Sequence, residues 1–269
     1  MSNFLTLNEL HRKAPSIFTE GCAERTSDKY QPISTATIIE HLRQEGFMPT
    51  AARQSNCRLK NKMAYTKHMV RFRHRDTQVT ASHLFPELIL INSHDGLSSY
   101  RLLAGMYRLI CSNGLVSGYG YDDIRIRHQG DIIGNVIEGT HTIVNNAHAV
   151  LEATEKMASV QLNQEERQYF ADAAHTLRFD DSDIGQAVES KKLLRPRRMS
   201  EVNQHDLFTV FNVVQENAIK GGLGGHARDK DGYVKRIKTR EVKGIDQNTS
   251  LNRALWTLAE KMMELKAVA

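Results

Sequence analysis

The sequence is poor in cysteine and proline, and it has no long apolar run. Its 269 residues include 3 cysteines and 5 prolines. Three thiols, odd in number and far apart in sequence, do not make a disulfide framework or a zinc site, so we expect a reducing, cytoplasmic setting. No stretch approaches the length of a spanning helix, and no basic region precedes an apolar segment at the N-terminus. We therefore expect no membrane partner and no secretory signal.

Signatures of catalysis and of cofactor binding are also missing. The glycines at residues 221–225 are not followed by the Gly-Lys-Ser/Thr of a phosphate-binding loop. The string His74-Arg75-Asp76 is typical of a kinase catalytic loop, but the companion kinase motifs are absent. The 12 histidines include no His-x-x-x-His pair. We expect no cofactor and no metal, and we assign no catalytic residue.

One enzymatic alternative stays open at three residues. His94 and Asp95 lie in a turn, and His128 lies at the end of a predicted strand. If the fold brings them together, they provide a metal or acid–base site for a nuclease or a nucleotide-processing enzyme. If it does not, they stabilise the turn through side-chain hydrogen bonds, which is the commoner role of such residues.

The charge of the chain is unevenly distributed. The formal net charge is +5 and the sequence pI is about 9.1. Residues 46–75 contain no Asp or Glu, yet they carry eight cations: Arg53, Arg58, Lys60, Lys62, Lys67, Arg71, Arg73 and Arg75. A solvated basic face would account for this stretch, but an anion-binding surface, most simply one for a nucleic-acid backbone, accounts for it better.

A two-residue period in this stretch predicts a strand with one cationic face. Residues 58–75 are interpreted as strand, with apolar side chains on the opposite face. Tyr65 lies on the cationic face, where it could stack on a base or simply pack across strands. The predicted nucleic-acid contacts here are Arg58, Lys60, Lys62, Tyr65, Lys67, Arg71, Arg73 and Arg75.

A second basic stretch, at residues 220–243, follows the flexible glycine-rich segment. We expect it to close over an extended polyanion through Lys235, Arg236, Lys238 and Arg240, although a mobile surface loop without a task is the alternative. A third basic stretch, at residues 191–198, is interpreted as a linker, because Pro196 limits helix formation there.

The order of predicted elements indicates an α+β fold, with a small antiparallel sheet packed against helices and a helical C-terminal region. We predict helices at residues 35–46, 98–112, 133–157 (a long amphipathic helix), 163 onward, 206–219 and 251–265, and strands at residues 58–75, 82–92 and 119–128. The predicted helix caps are Ser34 or Thr35, the capping-box pair Asn163 and Glu166, and Asp206. The predicted division is an N-terminal helical segment (1–50), an α+β core (51–190) and a basic, helical C-terminal segment (191–269).

Several strings together resemble one bacterial family. They lie at residues 46–49, 65–71, 92–96, 111–115, 127–132 and 251–256, and the most specific are Asn-Ser-His-Asp-Gly at 92–96 and Cys-Ser-Asn-Gly-Leu at 111–115. The family is catalogued as a domain of unknown function numbered 932, and its members are carried by prophages, plasmids and integrative elements. This resemblance implies a role in the DNA transactions of mobile elements.

In the order of its elements alone, the chain is similar to single-strand annealing recombinases of the RecT-like and Redβ-like kind. This similarity implies an oligomer that binds DNA along a basic groove, but it carries no residue over to this sequence. We expect a non-enzymatic protein of a mobile element that binds single-stranded DNA as a homo-oligomer and anneals strands in recombination. The alternatives are the enzyme described above and a protein-interaction module directed against a host defence system.

Overall fold

The structure, a computed structural model, describes residues 4–24, 26, 29–77, 84–108, 113–118, 123–179, 187–228, 231 and 233–268. The chain divides into two compact units, Met1–Val150 and Leu151–Ala269. These units are defined by compactness, whereas the boundaries at residues 50 and 190 were predicted from the composition and pattern of the sequence, so those boundaries stay a prediction.

The first unit contains an antiparallel sheet and several helices. Its strands are β1 (Phe47–Gln54), β2 (His68–His74), β3 (Leu84–Asn92), β4 (Tyr100–Arg108), β5 (Asn113–Val116) and β6 (Asp123–Ile126). Its helices are α1 (Leu7–Lys13), α2 (Thr35–Gln44) and α3 (Ile132–Asn145), and α4 (Ala147–Ser159) follows α3 in the chain. Short 3-10 helices lie at Pro15–Phe18 and Lys60–Tyr65.

The strands of the sheet follow one another as an antiparallel meander in the order β1-β2-β3-β4-β5. Strand β6 also pairs with β4, so β5 and β6 share one edge of that strand: β5 lies opposite Gly105–Arg108 and β6 opposite Tyr100–Leu103. The register of β1 with β2 shifts between Pro49 and Ala51. Because directly opposed residues project to the same face, these registers fix which side chains are neighbours.

One face of the sheet packs against α3. Leu88 on β3 lies opposite both Phe72 on β2 and Ala104 on β4, and all three side chains are buried. Gly139 lets the helix approach closely, because a Cβ at this position would lie 2.8 Å from the Leu102 side chain. The apolar residues of the predicted strands therefore form the core of the first unit, as their pattern indicated.

The helix predicted at residues 98–112 is wrong over its described part, because residues 100–108 form strand β4. Both faces of β4 are buried, including Leu102 at 0% and Leu103 at 1% exposure. A strand buried on both faces is apolar at consecutive positions, and such a run imitates helical spacing. Residues 109–112 lie outside the described residues.

Two other predicted elements are shorter than expected. The strand predicted at residues 58–75 begins only at His68, since Lys60–Tyr65 form a 3-10 helix. The long helix predicted at residues 133–157 is divided at Asn146 into α3 and α4. The strands predicted at 82–92 and 119–128 correspond to β3 and β6 within the described residues.

The second unit is mainly helical and carries one β-hairpin. Its elements are α5 (Gln164–Phe179), α6 (Leu207–Lys220), α7 (Ile245–Val268), β7 (Gly224–Arg228) and β8 (Val234–Lys238), with short 3-10 helices at Ser190–Leu194 and Met199–Glu201. Residues Leu207 to Ile219 of α6 are buried on every side of the helix. Phe211 on α6 packs edge-to-face on Trp256 of α7, with ring centroids 5.7 Å apart.

Helix starts in both units follow the predicted caps. The Ser34 side chain accepts a hydrogen bond from Ala36 N, and Asp206 accepts one from Thr209 N. Asn163 and Glu166 form the reciprocal pair of a capping box, each side chain bonding the backbone N–H of the other. The α+β fold class, with an antiparallel sheet, packed helices and a C-terminal helix, is therefore confirmed.

Candidate nucleic-acid interface

Two of the predicted phosphate contacts, Arg71 and Arg73, are structural. Each is only 6% exposed, and both bind the same carboxylate on the neighbouring strand. Arg71 Nε lies 2.6 Å from Glu87 Oε2, and Arg73 Nη2 lies 2.9 Å from Glu87 Oε1. The prediction of an exposed cationic face along β2 is wrong at these positions, because Glu87 neutralises the guanidinium groups inside the sheet.

The surroundings of Arg71 hold its side chain in this buried position. Its Nη2 donates hydrogen bonds to the carbonyls of Met106 and Leu115, at 3.1 and 2.9 Å. Gly105 and Gly114 leave the space that it fills, since a Cβ at either residue would lie within 3 Å of the guanidinium. Arg71 thus ties β2 to β4 and β5 rather than to a ligand.

Arg73 is held by aromatic rings as well as by charge. Its guanidinium carbon lies 3.8 Å from the centre of the Phe85 ring and 5.1 Å from that of Tyr107. The Thr50 hydroxyl donates to Glu87 Oε1 at 3.0 Å, which adds a further hydrogen bond to the shared carboxylate. Such stacking suits the planar guanidinium and removes it from solvent.

The other predicted contacts of the first unit do not share one strand face. Arg58 and Lys62 are exposed in and beside the 3-10 helix, and Arg75 is exposed after β2. Lys67 and Tyr65 are half-buried, and the Tyr65 carbonyl accepts a hydrogen bond from His94 N at 3.2 Å. The side chain of Lys60 lies outside the described part of the structure.

The basic stretch of the second unit forms a hairpin instead of an irregular loop. Strand β7 pairs with β8 from Gly224↔Lys238 to Arg228↔Val234. All four predicted contacts on and after β8 are exposed: Lys235, Arg236, Lys238 and Arg240. Tyr233, which immediately precedes β8, is 72% exposed.

The two faces of this hairpin differ in their surroundings. A Cβ at Gly225 would collide with the carbonyl oxygen of Ala187 and lie 2.8 Å from Val188, so this face of the hairpin packs against the unit. His226 and Arg236 are paired in the register and project to the opposite face, and both are exposed. Lys238 lies two residues after Arg236 and therefore shares the outward face.

The basic stretch at residues 191–198 binds the end of α6. Arg197 Nη2 donates to the Gly221 carbonyl at 2.6 Å, and Arg198 binds Glu216 through two hydrogen bonds of 2.7 and 2.8 Å. Leu193 is fully buried. These cations satisfy the C-terminal end of a helix, where positive charge is favoured, and the stretch is ordered against α6 rather than an extended linker.

The three residues of the enzymatic alternative come together only in part. The rings of His94 and His128 lie 6.4 Å apart, and a third histidine, His68, lies 5.5 Å from His94. Asp95 instead stabilises its own turn, with Oδ1 accepting from Ser93 Oγ at 2.7 Å and from Leu97 N at 3.0 Å. This is the turn-stabilising role that the sequence left open.

Hydrogen bonds connect the histidines through neutral side chains. His68 Nε2 lies 2.8 Å from Thr35 Oγ1, which also accepts a hydrogen bond from Asn92 Nδ2. Asn92 Oδ1 lies 2.9 Å from His128 Nε2. The network is buried, with His68 and His94 at 0% and His128 at 5% exposure. It joins α2, β2 and β3 to the segment that follows β6.

Burial keeps all three histidines uncharged. Loss of hydration lowers the pKa of His68 to about 3, and the pKa values of His94 and His128 to about 4. Repulsion between neighbouring imidazolium groups adds to this effect at His68 and His94. No group of three His, Cys, Asp or Glu residues in the described ranges has the geometry of a metal site. We interpret the cluster as a structural network.

Two partners in these arrangements were missed by sequence reasoning. Glu87 is the only carboxylate in the apolar strand Leu84–Asn92, and a lone acid in such a strand indicates a buried partner of opposite charge. His68 lies on the apolar face of β2, two residues before buried Val70, so the two-residue period predicts its burial but not its partners. Only the cross-strand register brings it to His94.

The folded chain thus combines an α+β unit with a helical unit that carries a basic hairpin. The chain belongs to the family described as "Domain of unknown function (DUF932)", whose model matches residues 23–256. It is 42% identical to the UPF0380 protein YfjQ and 41% identical to the UPF0380 protein YafZ, both of Escherichia coli strain K12. Each match covers 96% of this chain and 92% of the relative.

No solved structure matches the chain. Within the described ranges, no helix is both long enough and apolar enough to cross a membrane.

Proposed function

We propose that the protein binds nucleic acid through the phosphate backbone, and that the outward face of the β7–β8 hairpin provides the main contacts. The observation that carries this proposal is the pair Arg236 and Lys238, exposed on the face opposite the one that packs against residues 187–188. Cations that contact only phosphates carry no sequence information, so we expect binding that is independent of sequence.

The composition of the hairpin supports an electrostatic mode. Residues 233–243 contain five cations and one carboxylate: Lys235, Arg236, Lys238, Arg240 and Lys243, with Glu241. Alternate residues along a strand are separated by roughly 6.6–6.8 Å, which lets successive cations on one face follow an extended backbone. Release of counterions from that backbone supplies the favourable free energy.

Those predicted contacts of the first unit that are exposed extend the proposal. Arg58, Lys62 and Arg75 are exposed, in a stretch of sequence that contains no carboxylate between residues 46 and 75. Arg71 and Arg73 are excluded from it, because Glu87 already binds them.

A preference for single-stranded DNA, assembly into a homo-oligomer and annealing of strands for a mobile element are further parts of this proposal. Exposed Tyr233 beside the cations supports the first, since aromatic side chains stack on unpaired bases. Free Cys22 and Cys57 support a reducing location such as the cytoplasm. A mass measurement with and without single-stranded DNA tests assembly, and a particle that stays monomeric in both would remove annealing.

The experiment that tests the proposal measures fluorescence anisotropy of a labelled oligonucleotide at several salt concentrations. Replacement of Arg236 and Lys238 by Gln should weaken binding to every sequence and reduce the slope of log affinity against log salt by about 1 to 1.5. The matched control is Lys191→Gln with Lys261→Gln, which removes the same charge from exposed pairs elsewhere in the unit.

Two results would contradict the proposal. One is wild-type binding that is absent at low salt or does not change with salt, which would favour the protein-interaction alternative. The other is an equal loss of affinity in the hairpin variant and in its control, which would show that affinity depends on the net charge of the protein and not on the hairpin.

A further inference from the structure

A polar groove in the first unit lies between strand β6 and helix α3. Its volume is about 510 Å³. Consecutive residues of β6 and the segment after it form one wall, and one side of α3 forms the other; the lining residues are Ile124, Arg125, Ile126, Arg127, Gln129, Asn135, Glu138, Gly139 and Thr142. Ile126, only 7% exposed, and Gly139, against which Ile124 packs, give the groove an apolar floor.

The arginines of this groove are available to a ligand. Arg101 already binds Asp123 through two hydrogen bonds of 2.7 and 2.6 Å, so the nearest carboxylate is neutralised. The side chain of Arg125 is 67% exposed and its Nε is 3.9 Å from Asp123, at the limit of an ion pair. Arg127 is also exposed, and Glu138 is the single acid in the lining.

The sheet register places Arg125 in a row of arginines on the face opposite the one that carries Leu102 and Ile124, and Arg101 in this row is already paired with Asp123. Arg125 on β6 lies opposite Arg101 on β4, Arg101 opposite Ile91, Ile91 opposite Met69, and Met69 opposite Arg53 on β1. Opposed residues share a face, so Arg53, Arg101 and Arg125 lie in one row across the sheet. Neighbouring strands are separated by roughly 4.7–4.9 Å, and the row therefore runs perpendicular to the strands.

We propose that this groove, called here the β6–α3 groove, binds a phosphodiester chain. Arg125 and Arg127 pair with its phosphates, and Gln129, Asn135 and Thr142 offer neutral hydrogen-bonding groups to its phosphate and sugar oxygens. Arg125 and Arg127 lie two residues apart, a spacing of roughly 6.6–6.8 Å along a strand, which favours a chain with repeated anionic groups over a ligand with one. The ligand class is that of the proposed function, but the residues are different, so either surface can fail without the other.

Glu138 provides a substitution that should raise affinity instead of lowering it. Glu138 lines the same groove and its negative charge repels a phosphate there, so Glu138→Gln should raise affinity for a single-stranded oligonucleotide. Arg125→Gln with Arg127→Gln should lower affinity, by roughly three- to tenfold for each cation at low salt. All three side chains are exposed, and these substitutions should leave the fold unchanged.

The test compares these variants in the full-length chain by fluorescence anisotropy, with circular dichroism to verify folding. The matched control is Arg12→Gln with Lys13→Gln, which removes the same charge from the exposed end of α1 in the same unit. Opposite effects of the Arg and Glu138 variants, with an unchanged control, are the expected result. If Glu138→Gln leaves affinity unchanged, or if the Arg variant and the control lose equally, the groove is not a binding site.

Two further arms separate the possible failures. Competition by polyglutamate as strong as that by unlabelled oligonucleotide would overturn the assignment to phosphodiesters and indicate an acidic polypeptide. Loss of affinity in the hairpin variant but not in the groove variant would overturn the groove alone and leave the proposed function standing. Loss of affinity in the groove variant but not in the hairpin variant would overturn the hairpin as the main binding surface and leave the groove standing.

Discussion

Gly114 on β5 lies against the guanidinium of Arg71 on β2, so that a Cβ built at Gly114 would come within 2.7 Å of Arg71 Nη1 and 2.8 Å of Cζ. The missing side chain on one strand is therefore what lets a buried arginine on another reach the carbonyls of Met106 and Leu115. The two residues act as one packing unit.

Gly114→Ala should consequently destabilise the protein. The added methyl group displaces Arg71 from its carbonyl partners, and overpacking of this kind costs about 1–3 kcal/mol in unfolding free energy. Urea denaturation measures it. Gly21→Ala is the control, because no atom lies within 4 Å of a Cβ at Gly21; equal midpoints for the two variants would contradict the packing assigned to Arg71.

Glu87→Gln should cost more. The substitution keeps the shape of the side chain but leaves Arg71 and Arg73 without their shared carboxylate in a buried site. Breaking a buried ion pair by removing one partner costs about 3–5 kcal/mol. The same substitution at exposed Glu138 should leave stability within about 0.5 kcal/mol. Denaturation curves that coincide for the two variants would show that Glu87 does not neutralise the arginines.

Acidification should weaken the fold before the carboxylates titrate. In the folded protein the pKa of His68 is lowered to about 3, and the pKa values of His94 and His128 are lowered to about 4. Below about pH 6.5 these histidines are therefore protonated in the unfolded chain but still neutral in the folded one, and protonation favours unfolding. Stability is complete above this pH and falls as the pH drops toward 4. Each histidine adds at most about 1.4 kcal/mol per pH unit to the slope.

Urea titrations between neutral pH and mildly acidic pH measure that slope. Relative to the wild type, His128→Asn should reduce the slope by the contribution of about one proton. A stability that stays constant over this range would mean that the cluster accepts protons without unfolding, contrary to its burial.

Gly225→Ala tests the orientation of the hairpin without changing any charge. The added methyl group would collide with the Ala187 carbonyl and displace the hairpin from the unit, so oligonucleotide affinity should fall. Gly224→Ala is the matched control, since the nearest atom to a Cβ there is 4.0 Å away. If both variants bind as the wild type does, the packed face has been assigned wrongly.

Local features of the fold were predictable from the sequence, and features that depend on the register were not. The caps at Ser34 and Asp206 and the pair Asn163–Glu166 involve residues close in sequence, and all were predicted. The burial of Arg71 depends on Glu87, 16 residues away, and on two glycines in later strands. Charge alone does not distinguish such an arginine from an exposed one.

The same limit applies to the candidate site. Lys235, Arg236, Lys238 and Arg240 were predicted from a local excess of cations, and they are exposed. In the sequence, Arg125 and Arg127 only alternate with Ile124 and Ile126 as the polar side of a strand, because neither the groove beside α3 nor the row through Arg101 can be seen before the strands are paired. Composition finds positive charge, whereas pairing decides which positive charges reach solvent.

Helix α6 has a consequence for how the second unit opens. Because Leu207 to Ile219 are buried on every side, local fraying cannot expose the middle of this helix, and its amide protons exchange with deuterium only when the whole unit unfolds. Exchange rates along α6 therefore report the global stability of the unit, in contrast to the hairpin, whose cationic strand exchanges by local opening.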